Sequence, residues 1–293
     1  MTHASQIVNQ LEYVEETTEG TFPTNPTMVF LANVAKWTPK LTQDKDIYRR
    51  HGSEDPYKFV FGRQVFESTL EFGITNSTFI KYGISAVGGG AGSIDKALSI
   101  GFSFKLNGTT NFITMTRSRI KSIKISGAAS KPSLNVTVTL THDNISTPSV
   151  TDYIGSGTHA TPDTTALWSM ADGGASPVSW NASGIPCEEI NVTITRETGD
   201  KWILGSKKMA FSGTSFQRDI KGDITVEYVS TTLETDAKAN TSRTLAWVLK
   251  ATTCTITFTG AYAIDLTDRS VDADAKEGIP EKWGFGATAV SIT

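Results

Sequence analysis

The sequence predicts a mainly β protein: two similar β modules of sandwich or half-barrel form, each with a short helix. Three observations lead there. Thr, Ser, Asn and Gly are abundant while charged residues are 19 % of the chain, a balance that favours strands and turns over long helices. Apolar and polar residues alternate over many short stretches, the period of a half-buried strand. The outline of one such stretch, FVFGRQVFESTLEF at 59–72, also returns as AFSGTSFQRDIKGDITVEY at 210–228. In the first copy Phe66, Ser68, Leu70 and Phe72 point one way and Glu67, Thr69 and Glu71 the other. In the second, Gly222, Ile224, Val226 and Tyr228 alternate with Asp223, Thr225 and Glu227. A one-residue gap brings Arg63 onto Arg218. This reads either as a duplicated module or as the coincidence of two short alternating segments.

A chain of 293 residues has the length of about two domains. Its net charge of −3 lacks the basic excess that grips phosphates by counterion release. Cys187 and Cys254 have neither a second Cys nor a His at zinc-ligand spacing and read as buried thiols. The opening MTHASQIVNQLEYVEETTEG lacks a basic n-region and an apolar core, so synthesis and assembly in the cytoplasm are expected. No apolar run approaches the ~18 residues of a membrane span, and no membrane insertion is expected.

In chain order, residues 6–14 form a first strand, and Gly20, Pro23 and Pro26 break the next stretch into an extended arm, 1–27 in all. Residues 29–34 are a short apolar run. The polar stretch 36–58 shows no periodicity and reads as a long interaction loop. After the 59–72 strand, Asn76 or Ser77 caps a helix of about ten residues with Phe79, Tyr82 and Ala86 on one face, ended by Gly88, Gly89 and Gly90. Leu98, Ile100, Phe102, Phe104 and Leu106 alternate strictly, and Asn107-Gly108 turns the chain into 112–115, the clearest hairpin. Strands at 117–125 and 134–140 close a first module, 1–140. Arg117, Arg119 and Lys121 make a basic stripe there, which meets an acidic face of a neighbouring subunit, binds phosphate, or faces solvent.

Residues 141–186 are rich in Ser, Thr, Gly and Pro, with Trp168 and Trp180 as large anchors, and read as a linker with a partly ordered insertion. A second module, 187–293, opens with a strand at 188–196, turns at 197–200 and returns from Trp202. Beyond it come a weak helix at 233–238, a Thr-alternating strand at 253–259 continuing to Leu266, an acidic loop at 268–281 and a last strand at 283–292.

Nothing in the chain assembles an enzyme, a metal centre or a cofactor site. His3, His51, His142 and His159 have no partner at a meaningful spacing, and Gly88–Gly92 lacks the Lys-Ser/Thr of a phosphate loop. Glu67 and Glu71, four apart on a strand, are roughly 13 Å apart, too far for a glycosidase pair.

The opening YVEETTEGTFPTNP and the run INVTITRETGDKWILGSKKMAFSGTSFQRDIKGDITVEYV resemble the major tail tube proteins of tailed phages and related archaeal viruses, although Glu19 stands where Tyr commonly precedes the Gly. The resemblance implies subunits whose sheets join into a ring-forming β-barrel, with stacked rings making the channel for genome delivery in the virion tail. It implies the chain itself as partner, in homo-trimeric pseudo-hexameric or hexameric rings, together with tape-measure and tail-terminator proteins and DNA in passage. Under it, Glu67, Glu71, Asp223 and Glu227 face either the lumen or outer solvent. The loop 36–58, with Lys36, Asp44, Lys45, Asp46, Arg49, Arg50, Glu54, Asp55 and Lys58, reaches the next ring, and the arm bridges subunits. A receptor-binding or adhesin-type virion protein is the alternative, and would carry an exposed aromatic cluster.

Overall fold

The computed structural model describes residues 7–32, 34–49, 51, 55–85, 96–106, 108–201, 211–228, 231–269 and 279–293. The strands are β1 (Ile7–Glu15), β2 (Val29–Phe30), β3 (Val34–Arg49), β4 (Pro56–Gly73), β5 (Leu98–Leu106), β6 (Thr109–Ala128), β7 (Asn135–His142), β8 (Asn144–Ile145), β9 (Val178–Trp180), β10 (Ser183–Gly184), β11 (Cys187–Lys201), β12 (Phe211–Glu227), β13 (Arg243–Lys250), β14 (Cys254–Arg269) and β15 (Pro280–Ile292). Two helices, α1 (Thr78–Ile84) and α2 (Thr232–Lys238), and a 3-10 turn (Met170–Gly173) complete it.

The mainly β class is as expected, but the architecture differs from two separate modules. All 15 strands belong to one antiparallel sheet that does not close into a barrel. The reason lies in β6. Its first half pairs with β5 as far as Ser118, Arg117 then takes φ 46°, and the chain turns away. The edge so released is taken from Ser122 to Ala128 by β11, which satisfies backbone groups that would otherwise face water.

Each half runs through the same order. In the first, β3 pairs β4, β4 pairs β7, β7 pairs β6, and β6 pairs β5. In the second, β11 pairs β12, β12 pairs β15, β15 pairs β14, and β14 pairs β13. The irregularities match as well. Bulges at Val34/Lys36 and Gln43/Lys45 correspond to Cys187/Glu189 and Arg196/Thr198. Those at Leu98/Ile100 and Ile120/Ser122 correspond to Arg243/Leu245 and Ala263/Asp265. The left-handed Arg117 corresponds to Gly260 at φ 59°. Because bulges are positional features rather than noise, they fix the correspondence: Phe66 matches Ile220 and Gln64 matches Arg218. This corrects the sequence alignment, which set Phe66 on Gly222 and Arg63 on Arg218. Pure alternation cannot distinguish registers two residues apart, because both keep the same faces.

Two further expectations change. Residues 36–58 are not a loop but most of the β3–β4 hairpin; its outer part is exposed on both faces, so no alternation marks it. Residues 197–200 do not turn, since β11 continues to Lys201, with Thr198 opposite Thr214 and Lys201 opposite Phe211. Helix α1 is 7 residues long, and its amide at Thr78 donates to the Asn76 side chain. Ala86, Gly88–Gly90, Asn107, Trp202 and most of the acidic loop lie outside the described residues.

One face of the sheet carries the core. Leu70, Val138, Ile123, Ile190, Ile224 and Trp283 lie on successive strands and are buried. Helix α1 presses onto it through Gly83, where an added Cβ would stand 3.1 Å from Ile123. The segment 141–186 is more ordered than a linker. Trp168 ties Ile74 to Leu134 through backbone bonds, and the Trp180 indole donates to Asp236 at 2.9 Å.

Candidate functional site

The other face of the sheet is polar across β3, β4, β7, β6, β11 and β12, where the outward residues are mostly Thr, Ser, Asn or charged, and mixed across β13–β15, where exposed Tyr262 and Ile264 join it. Register places Thr38, Thr69, Thr139, Ser122, Thr195 and Asp219 side by side across six strands. The next row is Lys36, Glu71, Thr137, Lys124, Thr193 and Lys221. Three of the four acids singled out in the sequence share this face and have lysine partners. Glu67 accepts from Lys121 at 2.9 Å, Glu71 lies 3.6 Å from Lys36, and Asp223 lies 3.3 Å from Lys282. Asp223 also accepts from the Asn191 amide, and Glu227 is exposed at the end of β12. The face is therefore hydroxyl-rich and close to charge-balanced rather than an acidic wall. Sequence reasoning found the acids, and Lys121 and Lys36 in other roles, but not their pairing, which joins different strands.

The basic stripe is engaged within the chain. Arg117 pairs with Asp143 at 3.0 Å and Arg119 with Glu19, both beside the left-handed kink. The bulge at Ile120/Ser122 turns Lys121 toward Glu67. The N-terminal arm also folds back on its own chain: β1 pairs with β5, and Glu16 accepts from the Arg117 amide. Next to it, buried Glu12 accepts from Tyr153 and bonds His159, pinning residues 153–160. Burial alone would lower the His159 pKa, but its hydrogen bonds to Glu12 and Asp152 outweigh that and raise it.

Among the described residues two unpaired strand edges bound the repeated sheet, and the outer parts of β4 (56–65), β11 (196–201) and β12 (211–220) also pair on one side only. One of the two bounding edges is the outer edge of β3, whose only pairing is with β4. The other is β14 beyond Ala261, where β13 has ended and only β15 continues. The outer part of the β3–β4 hairpin forms a bare two-stranded ribbon. Asp44 and Arg63 bridge it at 2.7 Å, and Asp44, Lys45, Asp46, Asp55 and Lys58 are exposed. Arg50 and Glu54 lie outside the described residues. Ile47, Tyr57, Phe59 and Phe61 share one ribbon face, and all are exposed. Apolar side chains on a ribbon lacking a second layer mark a contact surface.

Among the described residues no group of three His, Cys, Asp or Glu side chains could hold a metal ion, and no helix is long and apolar enough to cross a membrane. Burial pushes the Cys187 thiol up to about 12, away from the nucleophilic range. What the fold defines is a mainly β chain with one apolar sheet face, one largely polar face, unpaired edges on β3 and β14 and a protruding apolar ribbon. Comparison with protein-family models and with curated proteins returned no match.

Proposed function

We propose that this chain is a structural protein of a viral tail, a tail-tube subunit that self-assembles into stacked rings around a channel for genome delivery. The observation that carries the reading is the open, internally repeated sheet: its two ends stay unpaired while its middle joint is a strand-to-strand seam. An open sheet with long free edges tends to pair with another chain unless charges, prolines or a covering element blunt those edges. Copies of the same chain do so in a ring, and two repeated halves let three copies imitate six-fold symmetry.

The polar face suits the lumen. DNA passing such a wall meets hydroxyls and lysines matched by Glu67, Glu71 and Asp223, so few counterions are released and the strand is not held. The ribbon of β3 and β4 extends roughly 20 Å beyond the sheet at strand rise, far enough to seat Ile47, Tyr57, Phe59 and Phe61 on the adjoining ring. Its tip also favours a second reading, a receptor-binding or adhesin-type virion protein, because those exposed aromatics are what a glycan-binding surface needs.

Electron microscopy of the purified chain separates the two. Rings or tubes are expected, and deletion of residues 44–62 should leave rings that no longer stack. Dispersed monomers that bind glycans would overturn the tube reading in favour of the adhesin.

A further inference from the structure

The seam inside the chain has a counterpart at its ends. Strand β11 pairs with the second half of β6, Ser122 opposite Thr195, Ile123 opposite Ile194 and Lys124 opposite Thr193. By the matched bulges, β3 occupies in the first half the place that β11 holds in the second, and β14 in the second half is the counterpart of β6. The unpaired edges of β3 and β14 are therefore the two sides of this same seam.

We infer that copies of this chain join head to tail, β3 of one copy adding to the free edge of β14 of the next in the register of the internal seam. The inference rests on the assembly reading above. Transferring the pairs residue by residue, Thr195 becomes Thr42 and Ser122 becomes Asp265, so these two face each other. Ile194 and Ile123 become Leu41 and Leu266, and Thr193 and Lys124 become Lys40 and, past the extra residue Thr267 in β14, Asp268.

The chemistry at these positions fits a joint. Leu41 is 55 % and Leu266 38 % exposed, apolar side chains on bare edges that would cover each other as Ile194 and Ile123 do. Lys40 and Asp268 are both exposed, and as cross-strand neighbours of opposite charge they favour this register over its neighbours. The places where the ends depart from the internal seam also coincide. Pro39 removes a donor where β11 has Val192, and β14 has an extra bulge between Leu266 and Asp268 that β6 lacks. Both interruptions fall within a residue or so of the Lys40–Asp268 pair. An edge with a proline resists random strand addition and accepts a partner whose ladder is broken at the same place.

The contact is heterologous, so it closes into a ring or grows into a filament. Two variants test it in the full chain: Lys40→Cys with Asp268→Cys, and a control with Lys36→Cys in place of Lys40→Cys, offset by roughly 13 Å along the strand, beyond disulfide reach. Oxidised samples are read on non-reducing gels and by electron microscopy. A disulfide-linked ladder from the first pair, lost in the control, is expected. Tubes without that ladder would overturn the inference and leave the tube reading standing. The ladder without rings or tubes would support the edge contact and overturn the tube. Monomers without ladder at high concentration would overturn both. Charge exchange is an independent check: Lys40→Asp should abolish assembly and Asp268→Lys in the same chain should restore it, whereas assembly untouched by Lys40→Asp would count against the register.

Discussion

Helices α1 and α2 occupy the same place in their respective halves, each 7 residues long, yet they are made differently. Helix α1 buries Phe79, Ile80, Tyr82, Gly83 and Ile84, whereas α2 buries only Leu233 and Asp236. Their ends differ too. The last carbonyls of α1 accept from arginines of the other half, Arg196 at Tyr82 and Gly83 and Arg218 at Ile84, the latter at 2.8 Å. Helix α2 closes on itself. Asn240 takes the left-handed conformation, φ 49°, and the Thr241 amide returns to the Asp236 carbonyl at 2.9 Å. The positions equivalent to the two arginines are Gln43 and Gln64. A helix lying over a seam leaves its orphan carbonyls to the neighbouring module, and one at the end of the sheet must satisfy them locally.

The sheets beneath show a second contrast. In the first half Ser68 and Ser118 hold opposite ring nitrogens of buried His142, each at 2.7 Å. The equivalent residues in the second half are Gly222, Ala261 and Ala287, and the ring of Phe285 fills the space where a side chain on Gly222 would go. In the second half the space is filled by Phe285 instead of a polar network. Only the first half therefore carries a buried titratable group at this point.

These differences can be probed one at a time. The largest effect should come from pH. Burial lowers the His142 pKa to about 3 from its ordinary value near 6.5. The folded chain keeps the ring neutral while the unfolded chain protonates it below 6.5. Stability is then full above pH 6.5 and falls as the pH drops toward 3, by at most roughly 5 kcal/mol. Hydrogen exchange against pH should locate the loss in β4, β6 and β7 and spare β12, β14 and β15. Equal loosening of both halves would remove the contrast.

Next is the seam arginine. Burial, with Arg218 nearby, lowers the Arg196 pKa to about 9, so at neutral pH it remains a charged donor to the α1 carbonyls. Arg196→Ala should cost about 3 kcal/mol by leaving those carbonyls unsatisfied, while Gln43→Ala at the open end should change unfolding by less than about 0.5 kcal/mol. Urea titration of the two variants decides it, and similar costs would mean that the seam is not special. The smallest effect concerns the left-handed position. Gly260→Ala places a Cβ 2.3 Å from Thr288 Oγ1 at φ 59° and should cost about 1–2 kcal/mol. Arg117→Gly should be near neutral, since relieved backbone strain offsets the lost ion pairs to Asp143 and Glu19. Thermal melts would separate the two.

How much of this was written in the sequence depends on what each residue was paired with. The hairpin at Asn107-Gly108, the Thr-alternating start of β14, the last strand and both short helices were legible because one face of each is buried and the pattern survives. Strand β13 was overlooked although Leu245, Trp247 and Leu249 alternate plainly and are fully buried. Residues 36–58 of the β3–β4 hairpin were illegible as strand because both faces of its outer part are exposed, while 59–72 was read as a strand. The acids of the polar face were read from the chain, but their pairing with lysines could not be, since Glu67 and Lys121 are 54 positions apart.

By itself, then, the sequence determined the β class, the amphipathic faces and the presence of a repeated outline, because local alternation is set by which side of a strand meets the core. The register of the repeat, the seam between β6 and β11 and the two edges left open were decided only in three dimensions. Bulges and strand partners belong to pairs of segments far apart in the chain, and no single stretch contains the information that joins them.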